Sequence, residues 1–326
     1  MSPRLTLALD RGAVVIPPAG RIGVFGATAG DDLSALPLER VVVVQGFRPD
    51  VDALMRQGWT VTPEAEGRFV LSVVFLPRSR EAARARIAEA ARLTDGPLLI
   101  DGDKTAGVDG LLREIRARAV PGEVLAKAHG KIFAVTGGDF ADWAEGAPRQ
   151  VPGGFVTRPG VFSADGPDRG SVLLADALPA RLGPRVADLG AGWGYLARAI
   201  LTRDGVTELH LVEADHAALD CARINVTDPR ARFHWADATA FRPEVPFDTV
   251  VTNPPFHVSR VAYPRLGLNF VESARRMLSP RGELWLVANR HLPYEGALRL
   301  AFREVAELGA DPAFKLFHAS HPIRSR

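Results

Sequence analysis

Short apolar runs alternate with alanine- and arginine-rich windows along both halves of the chain. The runs fall at 40–45, 69–77, 97–100 and 131–135 in the first half, and at 186–189, 209–212, 232–235 and 247–252 in the second. Runs of this length bounded by turn residues predict strands. The windows between them predict helices, such as the stretch carrying Ala82, Ala83, Ile87, Ala90 and Ala91 or the one at 196–201. Regular alternation of the two predicts α/β architecture with parallel sheets in both halves. A chain of 326 residues has room for two such domains, each able to build its own core. The Gly- and Pro-rich stretch at 145–154 is the best separator. The predicted boundaries are 1–145, a linker at 146–159, and 160–326.

The strand at 186–189 runs into Gly190-Ala191-Gly192-Trp193-Gly194, with Asp188 just before the glycines. Glycines let the backbone turn sharply and approach a ligand closely. Such loops also serve dinucleotides, which set pyrophosphate on a helix N-terminus. Here Asp188 places a negative charge where a phosphate would be repelled, which suits a cationic ligand. S-adenosyl-L-methionine (AdoMet) carries a sulfonium and an ammonium. The next strand ends in Glu213, a usual partner for ribose hydroxyls at that position. The third ends in Asp237, placed to accept from an adenine amine, and the fourth in Asn253. Four successive strand ends therefore line up where open α/β sheets bind ligands.

Asn253 begins the turn Asn253-Pro254-Pro255-Phe256. Two prolines fix φ and remove two donors, and each restrains the residue before it. The Asn253 oxygen and the Pro254 carbonyl are expected to converge on one NH₂ group, with Phe256 stacking on the ring that carries it. That suits methyl transfer to an amine conjugated with a flat ring. No strong base is needed, so His257 is expected to shape the pocket or touch RNA.

Residues 153–326 resemble bacterial ribosomal RNA guanine-N2 methyltransferases, specifically the small-subunit RsmC-like group. The resemblance rests on Gly160-Val161-Phe162-Ser163-Ala164-Asp165-Gly166, the loop from Asp188 to Gly194, and Asn253 to His257. It also uses Leu286-Val287-Ala288-Asn289, Leu292-Pro293-Tyr294 and Phe314-Lys315-Leu316-Phe317. After His257 the chain continues Val258-Ser259-Arg260, where the family tends to have Asp-Gly. The resemblance implies two tandem Rossmann-like class I methyltransferase domains, the first degenerate. It implies AdoMet as cofactor and the N2 amine of a guanine in 16S rRNA as acceptor. Asn253, Pro254 and Phe256 are the implied catalytic residues. Phe162 and Ala238 complete the cofactor set of Asp188, Gly190, Gly192, Gly194, Glu213, Asp237 and Asn253. Phe256, His257, Arg260 and Arg265 are the implied substrate contacts, with ribosomal RNA or the assembling small subunit as partner and no metal.

The first half reads as a worn copy of the second. Gln45 stands where the second strand of the later copy has Glu213. With Pro77 placed on Pro255, Phe75 falls at the asparagine position. The glycines at 23–30 lack both the aspartate and the alternating spacing. These losses predict that the first copy no longer binds AdoMet.

Net charge narrows little. Forty basic and 38 acidic residues leave +2, so RNA contact must come from local patches. Arg78, Arg80, Arg84, Arg86 and Arg92 are one candidate, a solvated face paired with Glu81 and Glu89 the other. No apolar stretch approaches the roughly 18 residues of a membrane span, and the N-terminus lacks a signal-peptide core. With one cysteine, Cys221, the expected location is the cytoplasm. The oligomeric state is left open, a monomer being sufficient. Because Asn-Pro-Pro-Phe is shared with adenine-N6 and protein-glutamine methyltransferases, another conjugated amine is the alternative acceptor: RNA adenine N6, 23S rRNA guanine N2 or protein glutamine. A non-enzymatic RNA-binding assembly factor is the third reading.

Overall fold

The computed structural model describes residues 3–255, 257–258, 261–262, 264–309 and 311–324. The chain divides into two compact units, Met1–Ala147 and Pro148–Arg326. In the first, the strands are β1 (Ile22–Phe25), β2 (Val41–Val44), β3 (Thr60–Thr62), β4 (Leu71–Phe75), β5 (Leu98–Asp103), β6 (Leu125–Lys127) and β7 (Gly130–Val135). They form one sheet in the order β3-β2-β1-β4-β5-β7-β6. The first five pair in parallel, and β7 and β6 run antiparallel to their neighbours. The helices are α1 (Pro3–Asp10), α2 (Arg48–Arg56), α3 (Arg80–Leu93) and α4 (Val108–Arg116).

The second unit opens with a hairpin of β8 (Arg149–Val151) and β9 (Phe155–Thr157). Residues 149–157 were expected in a linker. They are instead structured, because Val151 and Phe155 bury against Val161, Trp193 and Cys221. The main sheet holds β10 (Arg185–Leu189), β11 (Glu208–Glu213), β12 (Ala231–Trp235), β13 (Phe247–Thr252), β16 (Leu278–Asn289), β17 (Phe302–Leu308) and β18 (Phe314–Pro322). The short β14 (His257–Val258) and β15 (Val261–Ala262) pair with each other. The helices are α5 (Arg169–Ala177), α6 (Tyr195–Leu201), α7 (His216–Asn225), α8 (Pro264–Met277) and α9 (Glu295–Ala301).

The order β12-β11-β10-β13-β16-β18-β17 repeats that of the first sheet strand for strand. The α/β architecture expected in both halves is present. Its strands are apolar on both sides because helices cover both faces. Val186 and Val251 enter a core with Leu174, Leu196, Ile200 and Leu219 from α5, α6 and α7. Ala187, Leu189 and Val250 point the other way, into a core with Phe270, Met277 and Leu298 from α8 and α9. By this alternation Asp188 belongs to the α5–α7 face.

Candidate functional site

The loop after β10 is built by three glycines in the left-handed region, Gly190 (φ 73°), Gly192 (φ 54°) and Gly194 (φ 91°). A Cβ on Gly194 would fall 2.9 Å from Val226 Cγ2, so this glycine lets α7 pack against the loop. A Cβ on Gly192 would meet nothing within 4 Å, which leaves that backbone open to close approach by a ligand. Gly190 N–H donates to Val212 O at 2.9 Å. Gly192 N–H donates to Glu213 Oε2 at 2.8 Å, and Asp215 N–H donates to Glu213 Oε1 at 2.8 Å. Glu213 thereby ties the loop to the end of β11, and each of its oxygens keeps a lone pair.

Asp188 is fully buried; the backbone N–H of Ala197 faces its carboxyl, but neither oxygen makes a hydrogen bond of full geometry. Burial first, then the nearby charge of Glu213, pushes its carboxyl up to about 8; the Ala197 backbone N–H opposes this. Burial raises Glu213 as well. Buried acceptors without well-placed donors are rare in folded proteins; a carboxyl kept neutral by burial would regain its charge beside a cationic ligand.

At the end of β13, Asn253 Nδ2 donates to Asp168 Oδ2 at 2.9 Å and to Ser171 Oγ at 2.8 Å. Its Oδ1 is buried and unpartnered. Pro254 is buried and Pro255 exposed. An open cleft is lined by Asn253, Asp168, Ser171, Gly192, Trp193 and Phe162 among others. Phe162 is 61% exposed on the rim. Its carbonyl accepts from the indole N–H of Trp193 at 2.9 Å, which fixes the Phe162 segment over the glycine loop.

The strand ends thus bring Asp188, Gly190, Gly192, Gly194, Glu213 and Asn253 to one edge of the sheet, with Phe162 across the cleft. Two expected cofactor residues also make local contacts. Asp237 Oδ1 accepts from its own turn, from Thr239 N–H and Oγ1–H at 2.7 Å each. The side chain of Ala238 lies in the core on the α8–α9 face. Phe256 and Arg260 lie outside the described residues. For His257, in β14, and Arg265, in the first turn of α8, only the backbone is described. Asp168, Ser171 and Trp193 were missed. Asp168 did carry a legible signal, since an Asp three residues before a Ser and ahead of an apolar stretch reads as a helix cap. It caps α5, accepting from Ser171 N–H at 2.9 Å.

The same strand ends can be read in the first unit. Gly26 N–H donates to Val44 O at 2.9 Å, as Gly190 does to Val212. From these anchors the registers place Val24 at the position of Asp188, Gln45 at Glu213 and Phe75 at Asn253. Phe47 N–H donates to Gln45 Oε1 at 2.9 Å, as Asp215 does to Glu213. The other contact is reversed: Gln45 Nε2 donates to Ala27 O at 2.7 Å. Beyond β1 the chain makes turns up to a 3-10 turn at Leu38–Arg40, with no helix in the place of α6. Arg86 and Phe270 are both the seventh residue of their helices. Arg86 Nη1 donates to Phe75 O at 2.6 Å, and a Cβ on Gly26 would fall 1.9 Å from that nitrogen. Burial pushes Arg86 down to about 10, so it remains a cation at neutral pH. Arg80 and Arg84 pair with Glu114 of α4, and not with Glu81 or Glu89 as the sequence suggested.

Comparison with known proteins gives a concordant set of similarities. Residues 153–318 match the methyltransferase small domain family. The chain is 36% identical over 171 residues to a ribosomal RNA large subunit methyltransferase G of Ectopseudomonas mendocina, covering 51% of this chain and 46% of that protein. It is 28% identical over 259 residues to a ribosomal RNA small subunit methyltransferase C of Shewanella sp. strain MR-4, covering 75% of each. The matched region spans about half the length of the large-subunit relatives. In structure the chain is similar to the T. thermophilus 16S rRNA N2 methyltransferase RsmC in complex with AdoMet and guanosine. The TM-score is 0.75 at 28% identity, covering 94% of this chain and 89% of that one.

Proposed function

This chain belongs to the methyltransferase small domain family, and we propose that its second unit transfers a methyl group from AdoMet to the exocyclic N2 amine of a guanine in 16S ribosomal RNA. The observation that carries the reading is Asn253: its NH₂ is fixed by Asp168 and Ser171, and its Oδ1 is left buried and unpartnered on the cleft. An acceptor held this way fits an amine that has N–H groups to donate. Asp188, buried without a hydrogen bond of full geometry, and the open face of Gly192 fit the cationic end of AdoMet, and Glu213 is placed for its ribose. The whole-length similarity to a guanosine-binding 16S enzyme supports guanine and the small-subunit RNA as substrate. Ribosomal RNA as partner implies the cytoplasm as location.

When bound, AdoMet supplies an electrophilic methyl on a sulfonium. Asn253 Oδ1 accepts one amine N–H and turns the nitrogen lone pair out of conjugation with the ring. The glycine loop and Asn253 hold the two reactants in line, so proximity supplies much of the acceleration. Asn253 would hold the amine with its lone pair facing the methyl group that AdoMet would supply, the sulfur being the leaving group. The surplus proton then leaves the methylated nitrogen for water. A base that lies in a stack must leave it first, at a cost of a few kcal/mol.

The first unit is proposed as a degenerate copy that binds no AdoMet and serves as support or RNA docking surface. Val24, Gln45, Phe75 and the inward Arg86 support this. A second reading, methylation of 23S rRNA, is favoured by the 36% identity over 171 residues to a large-subunit relative.

The test is incorporation of radiolabelled AdoMet into small- and large-subunit RNA, protein-free and assembled, with nucleoside mass analysis. The expected product is methylguanine in the small-subunit RNA, with Asn253→Ala lowering turnover roughly 100- to 1,000-fold. Methyladenine, labelled protein, or full turnover by Asn253→Ala would overturn the proposal.

A further inference from the structure

Asparagine carries an acceptor and a donor that differ little in shape, so its chemical role depends on which one faces the substrate. In this chain the neighbours decide. Asp168 is half-buried, and its Oδ2 accepts from both Ser171 N–H (2.9 Å) and Asn253 Nδ2 (2.9 Å). A carboxylate only accepts. Rotating the Asn253 amide by half a turn would set its oxygen against Asp168 Oδ2 and present NH₂ to the cleft. Ser171, 7% exposed, takes the second Nδ2 hydrogen at 2.8 Å. Both donors of Asn253 are thus consumed 82 and 85 residues away in sequence. Its oxygen is the only polar atom left to meet a substrate.

The surroundings hold Asp168 in place. A Cβ on Gly170 would fall 3.0 Å from Asp168 Oδ2 and 2.9 Å from Phe314 Cε1, so only glycine admits both groups. The cap hydrogen bond to the first turn of α5 fixes the carboxylate.

We infer that Asp168, with Ser171, is the positioning residue of the methyl-transfer site: it locks the Asn253 amide with its oxygen toward the substrate amine. The inference rests on the proposed role of Asn253. In mechanism, Asp168 never touches the acceptor. It acts only through Asn253, so its effect on turnover must vanish when Asn253 is gone.

That property sets the experiment, a double-mutant cycle in the full chain with radiolabelled AdoMet and small-subunit ribosomal RNA. Asp168→Ala is expected to lower kcat roughly 10- to 100-fold, the size of a lost charge-assisted hydrogen bond. AdoMet affinity, measured by calorimetry, should stay within about twofold, because Asp168 acts on the acceptor's partner rather than the cofactor. Asp168→Asn keeps an oxygen for both donors and is a good helix cap, so it should restore most of the rate. In the Asn253→Ala background, Asp168→Ala should produce no further loss. An equal loss in both backgrounds would assign Asp168 a role in stability alone and overturn the inference. So would an Asp168→Ala enzyme of full activity beside an inactive Asn253→Ala. If Asn253→Ala itself turns over normally, the reading of the whole site fails instead. Should Asp168→Ala not fold, Ser171→Ala carries the same cycle. It leaves the cap acceptor in place, and its expected loss of roughly 3- to 10-fold must again disappear without Asn253.

Discussion

At the ends of β1, β2 and β4 the first unit carries Val24, Gln45 and Phe75; at the equivalent ends of β10, β11 and β13 the second carries Asp188, Glu213 and Asn253. The strand order and the backbone hydrogen bond from Gly26 or Gly190 are the same. The chemistry differs at each position. A buried apolar residue replaces the buried carboxylate, and an amide that satisfies itself on Ala27 O replaces the one that accepts from Gly192. An arginine fills the space that faces Gly26, where Gly190 meets only the edge of Phe270. In the first unit the strand ends are closed with internal partners. In the second, the buried acceptors on Asp188 and Asn253 lack a hydrogen bond of full geometry. A fold can be kept while a site is lost, because core packing and strand register do not depend on which groups sit at the strand ends.

The first helix of each unit sharpens the contrast. In the second unit the N-terminal turn of α5 holds Asn253 through Asp168 and Ser171. In the first, Arg4 of α1 donates to Asp101 at 2.5 Å, with side chains 9% and 0% exposed. Removing Arg4 deletes this buried ion pair together with its hydrogen bonds to Asp103, Lys127 O and Ala128 O. Arg4→Ala is therefore expected to destabilise the first unit by about 3–5 kcal/mol in urea unfolding, while AdoMet affinity of the folded protein is unchanged. A matching loss of AdoMet affinity would mean that the first unit takes part in the site.

A pH-dependent effect is expected at Asp188. Its folded carboxyl holds a proton up to about 8, against an ordinary value of 3.8. The folded state therefore binds more protons over that window. The stability Asp188 contributes is full below the lower value and is lost as pH rises through the upper one. The ligand-free melting temperature should fall between about pH 5 and about pH 8, and Asp188→Asn should flatten that fall. Parallel curves for the two proteins would show that Asp188 ionises normally.

Much of this was legible in the sequence. The glycine spacing, the strand-end acids and the proline turn pointed to the candidate cleft because each is a local pattern with a physical cause. The partners of Asn253 were not legible as such, since they lie 82 and 85 residues away and depend on where α5 docks. Nor was the local use of Asp237, whose turn is closed by Thr239. Arg86 was misread as part of an arginine face. Yet it lies between Ala83, Ile87 and Ala90 on the buried stripe of α3, and helical spacing alone turns it inward.

The central claim, that one copy retains the cofactor site and the other has closed it, is most directly tested by titrating the full chain with AdoMet in a calorimeter. The account predicts a single site per chain, abolished or severely weakened by Glu213→Ala and untouched by Gln45→Ala. Two sites per chain, or a single site that survives Glu213→Ala and is lost with Gln45→Ala, would contradict it.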